Sequence, residues 1–252
     1  MVCRFRLKEV VDRMKPFTSF QELDALGEGL SKDYIARTHR WNARCFDIEG
    51  FITDYLGLAI VYESFAEKDS SKIGFLSNGI DPLLVYRNGT ATPIVFPKDT
   101  IVVERYLLKP EESSRKRFTL AHEAAHKVME RHVPMQNACF HSEYDAEANY
   151  SEEDFRRIFS LNENLTNRLG AAIIMPGFLV AKALKYYNNS QKLRCYQGMV
   201  LAPDDKVNAQ KMADSLGVSY SAFLNRLKEL SLLDMRPLSE YISGGLQFGG
   251  DL

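Results

Sequence analysis

The stretch His122-Glu123-Ala124-Ala125-His126 places two histidines and a glutamate at a spacing suited to metal chemistry, the pattern H-E-x-x-H. Four residues advance an α-helix by about 400°, so the two imidazoles lie one turn apart on one face and can reach one ion. Glu123 lies at the edge of that face, where it can reach a metal-bound water without being a ligand. Zinc lowers the pKa of such a water toward ~7, and a carboxylate can take its proton as the water attacks a peptide carbonyl. The motif predicts a Zn²⁺-dependent peptidase with Glu123 as the general base.

The surroundings of the motif argue against a chance match. Three fixed positions in five residues recur by accident on surface helices, but this motif lies within a helical pattern that begins near Arg117 and extends toward Pro134. A polar stripe on an apolar helix is costly unless its groups find partners. The apolar flanking residues are Phe118, Leu120, Ala121, Ala124, Ala125, Val128 and Met129.

A catalytic zinc usually has three protein ligands, and the motif supplies two. His132 follows His122 by ten residues, the spacing of a longer histidine motif, but that motif has glycine where this chain has Met129. Without the glycine the helix continues and carries His132 about 240° around from His126, facing away. Glu147, in an acidic stretch, is a second candidate, although no local pattern places it on a helix.

Glu163 is the third candidate and the preferred one. It opens a strong helical pattern over about 161–175 and shares a helix face with Asn167 and Ile174. A carboxylate on a packed helix makes a rigid ligand. However, Ser160-x-x-Glu163 also fits a capping box, in which Glu163 would only cap the backbone. Position alone leaves these two interpretations nearly equal.

The patterns around these residues predict an α+β fold in which a small sheet packs on helices, including a zincin-like active helix that carries H-E-x-x-H. Asn88-Gly89 lies between two apolar runs and predicts a hairpin turn. Residues 135–159 are polar and predict a loop. Strands are predicted at 59–65, 83–96 (the hairpin) and 100–108, and helices at 47–58, 117–134, 161–175, 177–187 and within 206–234.

We expect three regions along the chain. Residues 1–45 form an N-terminal extension of unclear role, 46–190 a zinc metallopeptidase core, and 191–252 a C-terminal helical region. Strand 100–108 directly precedes the active helix, and an edge strand there could pair with an extended substrate; a purely structural strand is the alternative. His141, Tyr144 and Tyr150 are candidate donors to the transition state.

Bulk composition limits the remaining classes of function. The 252 residues carry a formal net charge of −1, which argues against direct nucleic-acid binding. Charges interrupt every apolar run near the N-terminus, and no run reaches the ~18 apolar residues of a membrane-spanning helix. Cys3, Cys45, Cys139 and Cys195 form no C-x-x-C pair, so a cysteine-based zinc site is not expected. We therefore expect a cytoplasmic protein with free thiols and no membrane partner.

Two stretches together, RFTLAHEAAH (117–126) and ENLTNRLGAAIIMP (163–176), resemble the ImmA/IrrE family of metallo-endopeptidases. The resemblance covers roughly residues 46–180 and is far more specific than the histidine motif alone. In that family the zinc ligands are the two histidines and a glutamate shortly before an Asn and a small-residue run ending in Met-Pro. The matching glutamate is Glu163. The sequence departs from the family at Ala125, where glycine is frequent, and at Leu169-Gly170, where Phe-Ala is frequent.

The resemblance implies a substrate, because such enzymes typically cleave a helix-turn-helix transcriptional repressor and thereby regulate transcription. A second interpretation comes from residues 206–234, whose two helical patterns about Gly217 resemble a helix-turn-helix. The chain would then be a DNA-binding or repressor-binding regulator that acts without proteolysis. A basic face on residues 220–228 would favour DNA binding, since phosphate contact normally demands cations.

Overall fold

The computed structural model describes residues 19–69, 72–130, 152–197 and 200–240. It has two compact units, one ending at Pro176 and the other beginning at Gly177. The predicted α+β architecture is confirmed, with small sheets packed on helices and the histidine motif on a helix. The predicted division of the chain into residues 1–45, 46–190 and 191–252 stays a prediction.

The helices of the first unit carry the motifs singled out above. Helix α1 (Phe20–Thr38) begins with a capping box, in which Ser19 Oγ accepts from the Glu22 amide and the Glu22 carboxylate accepts from the Ser19 amide. Helix α2 continues into a π-helical turn, Phe51–Leu56. The helices are α1 (Phe20–Thr38), α2 (Ile48–Gly50), α3 (Ser113–Met129) and α4 (Glu152–Ile174).

The strands of this unit form a three-stranded sheet and a hairpin. They are β1 (Ala59–Glu63), β2 (Gly74–Ser77), β3 (Leu83–Arg87), β4 (Thr90–Ile94) and β5 (Thr100–Glu104). The sheet order is β1-β5-β2, with β1 parallel and β2 antiparallel to β5. Strand β5 therefore has a neighbour on both sides, so the expectation that strand 100–108 is an edge strand is wrong. Within the described part of the chain, β2 pairs with β5 on one side and with no strand on the other.

The predicted hairpin is confirmed. Asn88 and Gly89 both have positive φ, 52° and 80°, as a two-residue type I′ turn between strands requires. Strands β3 and β4 pair in register from Leu83 with Ile94 to Arg87 with Thr90. The inner face of the hairpin covers one face of the sheet and builds a buried apolar cluster. That cluster contains Phe75, Leu83, Val85, Phe96 and Val102.

The alternation of side chains along β2 decides what faces α3. Phe75 belongs to the hairpin cluster, so its neighbours Gly74 and Leu76 face the opposite side of the sheet. Helix α3 packs on that side, against β2 and β5, and packs against α4 on its other side. Helix α3, which carries the histidine motif, thus lies between the sheet and α4.

Helix α4 begins earlier than the sequence predicts. It starts at Glu152, so the predicted loop 135–159 is wrong over residues 152–159, while 135–151 lie outside the described residues. The acidic composition there favours a loop locally, but a carboxylate-rich first turn also suits a helix N-terminus. Glu163 consequently lies in the helix interior. The capping-box interpretation of Glu163 is excluded, because a capping residue belongs to the first turn.

Helix α1 packs against α4 at very short range. Ser31 is fully buried, and its hydroxyl lies 2.8 Å from the Gly27 carbonyl and 2.9 Å from the Ile173 carbonyl across the interface. Arg168 of α4 makes a two-point ion pair with Asp24 of α1. Part of the predicted N-terminal extension therefore supports the helix that carries Glu163.

The second unit combines three helices with a small sheet. The predicted helix pair about Gly217 (φ 67°) is confirmed, but the three strands around it were not predicted, since each has four residues or fewer. In the sheet, β6 (Leu193–Tyr196) lies between β7 (Val200–Leu201), which is antiparallel to it, and β8 (Leu233–Arg236), which is parallel to it. Its elements are α5 (Gly177–Asn188), β6 (Leu193–Tyr196), β7 (Val200–Leu201), α6 (Pro203–Leu216), α7 (Tyr220–Glu229) and β8 (Leu233–Arg236).

Among the described residues, no single helix is long and apolar enough to cross a membrane. The segments Glu163–Ile174 and Gly177–Asn188 meet that test of length and composition only when taken together. The first of these segments is part of the core described above.

Gly27 tests the contact between α1 and α4. A Cβ at this position would lie 2.6 Å from Ala172 Cβ and 3.0 Å from the Ala172 carbonyl carbon, so Gly27→Ala forces the helices apart. We expect the free energy of unfolding to fall by about 1–3 kcal/mol in urea titrations. Gly29→Ala, two residues away in open space, is the matched control and should be neutral or stabilising. Equal effects of both variants would contradict the close contact.

Candidate metal centre

The two motif histidines lie on the α4-facing side of α3, as the helical spacing predicts. Their rings are 4.6 Å apart between centroids and nearly perpendicular, and the two Nε2 atoms are 3.0 Å apart. The His126 side chain is 5% exposed and that of His122 15%, so the site is shielded but open on the His122 side. Two imidazole nitrogens held this close favour a shared cation.

Glu163 of α4 completes a set of three converging ligand atoms. Its Oε2 lies 3.3 Å from His122 Nε2, and its Oε1 lies 3.6 Å from His126 Nε2. A tetrahedral ion with ~2.1 Å bonds separates its ligand atoms by about 3.4 Å. The two Nε2 atoms are 3.0 Å apart, and the two carboxylate oxygens lie 3.3 Å from one and 3.6 Å from the other, so all three distances are close to that value. Two nitrogens and a carboxylate therefore fit a zinc ion by both geometry and chemistry, and could also hold Mn²⁺ or Fe²⁺.

Asn167, one helical turn after Glu163, fixes the orientation of His122. Its Oδ1 lies 2.9 Å from His122 Nδ1 and accepts a hydrogen bond from that nitrogen. In a neutral imidazole this leaves the lone pair on Nε2, the atom that faces His126 and Glu163. A hydrogen bond of this kind orients a metal-binding histidine and holds its tautomer. The sequence predicted that Asn167 shares a helix face with Glu163, but it did not predict the hydrogen bond to His122.

The electrostatics of the site draw positive charge to His122. Burial lowers the pKa of the His122 imidazole, but the hydrogen bond to Glu163 and the charges of Glu123 and Glu163 outweigh it. The net effect raises the pKa above its usual value of 6.5. Without a metal, a proton on the ring is favoured by the same carboxylates that would stabilise a dication.

Glu123 is separate from the three ligand atoms. It is 4% exposed and lies on the side of α3 that faces the sheet, next to Gly74 of β2. A Cβ built on Gly74 would overlap the Glu123 carboxylate. Helix α3 therefore presents the histidines to α4 and this carboxylate toward β2.

A close approach of two helix backbones brings the ligands together. A Cβ at Gly170 of α4 would lie 3.2 Å from the Ala121 carbonyl and 3.2 Å from the His122 amide nitrogen. The absence of a side chain at this position lets α4 lie directly against the helix that carries the histidines. No periodicity identifies this contact in the sequence, although a glycine inside a strong helical pattern is a signal for close packing.

The sequence also offered two other candidate ligands, His132 and Glu147, and three candidate donors. His132, His141, Tyr144, Glu147 and Tyr150 all lie outside the described residues. Among the residues that are described, His122, His126 and Glu163 are the group that could hold a metal ion. Cys45 and Cys195 do not belong to it, and Cys3 and Cys139 lie outside the described residues.

Comparison with known proteins identifies one family. The sequence model of the IrrE N-terminal-like domain of the M78 peptidases matches residues 53–228, well over half of the chain. The match contains both motif helices and continues through the helix pair α6–α7, while α1 precedes it. No curated protein matches the sequence. Peptidases of this family are metallopeptidases, so a metal, typically zinc, and a protein substrate are implied.

Metal content tests the three-ligand site directly. We expect about one zinc per chain in the wild type and a strongly reduced content in Glu163→Gln, because an amide is a much weaker zinc ligand than a carboxylate. Atomic emission spectroscopy after dialysis without chelators measures both proteins. Glu111→Gln is the matched control, an exposed glutamate that lies before α3. Full zinc content in Glu163→Gln would return the third ligand to Glu147 or His132.

The hydrogen bond from His122 to Asn167 predicts a weaker effect of the same kind. Asn167→Ala should lower zinc affinity by about 10- to 100-fold, because the ring loses its orienting partner. Competition titrations with a chromogenic chelator measure the affinity. Asn164→Ala, at an exposed position on the same helix, should leave the affinity unchanged. Identical affinities for all three proteins would show that Asn167 does not orient the ligand.

Proposed function

Because this chain belongs to the IrrE N-terminal-like family of M78 peptidases, we propose that it is a zinc endopeptidase with Glu123 as its general base. The proposed metal ligands are His122, His126 and Glu163. The observation that carries the proposal is the convergence of their three ligand atoms within 4.8 Å of one another. A family of metallopeptidases and an independently placed ligand set support the same chemistry.

The proposed mechanism divides the work between the metal and the protein. Zinc, when bound, supplies Lewis acidity that polarises the scissile carbonyl and makes water acidic enough to attack at neutral pH. Glu123 accepts the proton of the attacking water on a carboxylate oxygen and passes it to the nitrogen of the departing amine. Asn167 holds the His122 ring in place throughout. The burial of Glu123 excludes competing water from the base.

We further propose that the substrate binds in an extended conformation along β2. The outer edge of β2 has no strand partner in the described residues, so its backbone groups can pair with a peptide. Gly74, the first residue of β2, lies beside Glu123. A peptide paired with this strand would therefore pass close to the proposed base, the role that the sequence had suggested for strand 100–108.

The proposed substrate is a helix-turn-helix transcriptional repressor, cleaved in the cytoplasm so that its target genes are derepressed. This part rests on the resemblance of RFTLAHEAAH and ENLTNRLGAAIIMP to the ImmA/IrrE family. The proposed core, residues 46–190, would carry the chemistry. The C-terminal region, 191–252, would then be an accessory region that could contact the repressor.

The alternative function, DNA binding through the C-terminal helix pair, receives less support. Helix α7 has two basic side chains, and Arg226 is only 1% exposed, with an ion pair to Glu229. Of these two basic side chains, only Lys228 is exposed. A recognition helix needs several cations to contact phosphates, so α7 lacks the basic face that DNA binding requires.

The deciding experiment combines zinc-loaded protein with a panel of purified helix-turn-helix repressors and with unfolded casein. The wild type should cleave at least one of them at a defined bond. Glu123→Gln should lose about 10³-fold or more in rate, because the amide cannot accept the proton, yet retain its zinc. Gel electrophoresis, mass spectrometry of the fragments and metal analysis provide the readouts.

Each outcome of that experiment has a distinct meaning. Cleavage of casein but of no repressor keeps the peptidase and removes the proposed substrate. Equal rates in the wild type and in Glu123→Gln would remove Glu123 as the base. A zinc-loaded wild type that cleaves none of these proteins but binds a repressor in a pull-down would favour a repressor-binding regulator without proteolysis. Glu111→Gln again serves as the control for a glutamate outside the site.

A further inference from the structure

We propose that Gly74 is a positioning residue for Glu123: the bare backbone of β2 at this point forms the wall against which the carboxylate rests. The inference rests on the proposed function for the role of Glu123. It concerns the sheet-facing side of α3, where no metal ligand lies. Any side chain at position 74 would occupy the space that the carboxylate takes.

The geometry leaves no room for a side chain. An ideal Cβ on Gly74 would overlap Glu123 Oε1, lie 3.1 Å from Glu123 Cδ, and lie 2.7 Å from Thr119 Cγ2. The Thr119 hydroxyl lies 3.0 Å from the Arg115 carbonyl and donates to it, which fixes the orientation of the Thr119 side chain. Thr119 and Glu123 are one turn apart, so together they line the face of α3 that Gly74 touches.

Strand β2 cannot retreat to make that room. Gly74 is paired with Val103 of β5, and the next backbone amide along β5, that of Glu104, donates to the Ile73 carbonyl at 2.9 Å. The neighbouring Phe75 is fully buried in the hairpin cluster. Moving the strand would break ladder hydrogen bonds and open the apolar cluster, so the side chain that gives way is Glu123.

Helix α3 is equally constrained where it meets α4. His122 bonds to Asn167, and the backbones of α3 and α4 touch at Gly170. A side chain at position 74 would therefore displace the Glu123 carboxylate and leave the histidines against α4. Displacement of a base by about 1 Å can cost about 10²-fold in rate. The proposal thus predicts that a side chain at position 74 impairs the base but leaves metal binding intact.

The test is a coupling between Gly74 and Glu123 in metal-free protein, measured by thermal unfolding. Gly74→Ala should lower Tm by about 3–8 °C in the wild-type background, because the new methyl group overlaps the carboxylate and Thr119. The loss should shrink by at least half in a Glu123→Ala background, and further when Thr119→Ser is added. Gly29→Ala is the control for a glycine in open space and should show no coupling to Glu123→Ala.

Two further measurements follow on folded, zinc-loaded Gly74→Ala. Its zinc content should equal that of the wild type, and its rate of cleavage of labelled casein should fall by at least about tenfold. An equal loss of Tm in the wild-type and Glu123→Ala backgrounds would overturn the proposal, as would loss of zinc. If the wild type cleaves nothing, the proposed function fails, whereas the stability coupling still decides whether Gly74 positions this carboxylate.

Discussion

The contact between α3 and α4 is the constraint on which the rest of the structure depends. The histidine motif is local to α3, but one helix can offer only two imidazoles on a turn-spaced face. The carboxylate that could serve as a third ligand and the amide that bonds to His122 both come from α4. Their reach depends on how closely the two backbones approach, and Gly170 against Ala121 sets that distance. A larger side chain at position 170 would push the two helices apart and move Glu163 away from the histidines.

Two neighbouring faces of α3 meet different partners, and this explains why the helix lies between the sheet and α4. One side, with His122 and His126, needs a helix partner that supplies a carboxylate. The other face, with Glu123, lies against Gly74 of β2, where the absence of a side chain leaves space for the carboxylate. Among the described residues, β2 pairs with a strand only on the side of β5. The hairpin on the far face of the sheet, packed through Phe75 and Val102, keeps that strand in place.

Helix α1 adds a further layer behind α4, and it lies before the region that the family comparison matches. Its contacts are of the kind that fix one helix along another: a glycine against Ala172, a buried serine hydroxyl against a carbonyl, and an ion pair to Arg168. A metal ligand is useful only if its helix neither slides nor rotates. Support of α4 from both sides is therefore consistent with a site of fixed geometry.

The sequence by itself determined what depends on local periodicity. The helical spacing of His122 and His126 and the hairpin at Asn88-Gly89 follow from neighbouring residues, and the family resemblance follows from two short stretches of sequence. The boundaries of α4 could not be predicted, because an acidic stretch suits both a loop and a first helical turn. Only the tertiary structure decided that Glu163 is an interior residue facing the histidines, that β5 is central while β2 lies at the edge, and that Gly74 lies against Glu123. Strand order and the approach of helix backbones depend on contacts between residues far apart in the chain, and no local pattern encodes those distances.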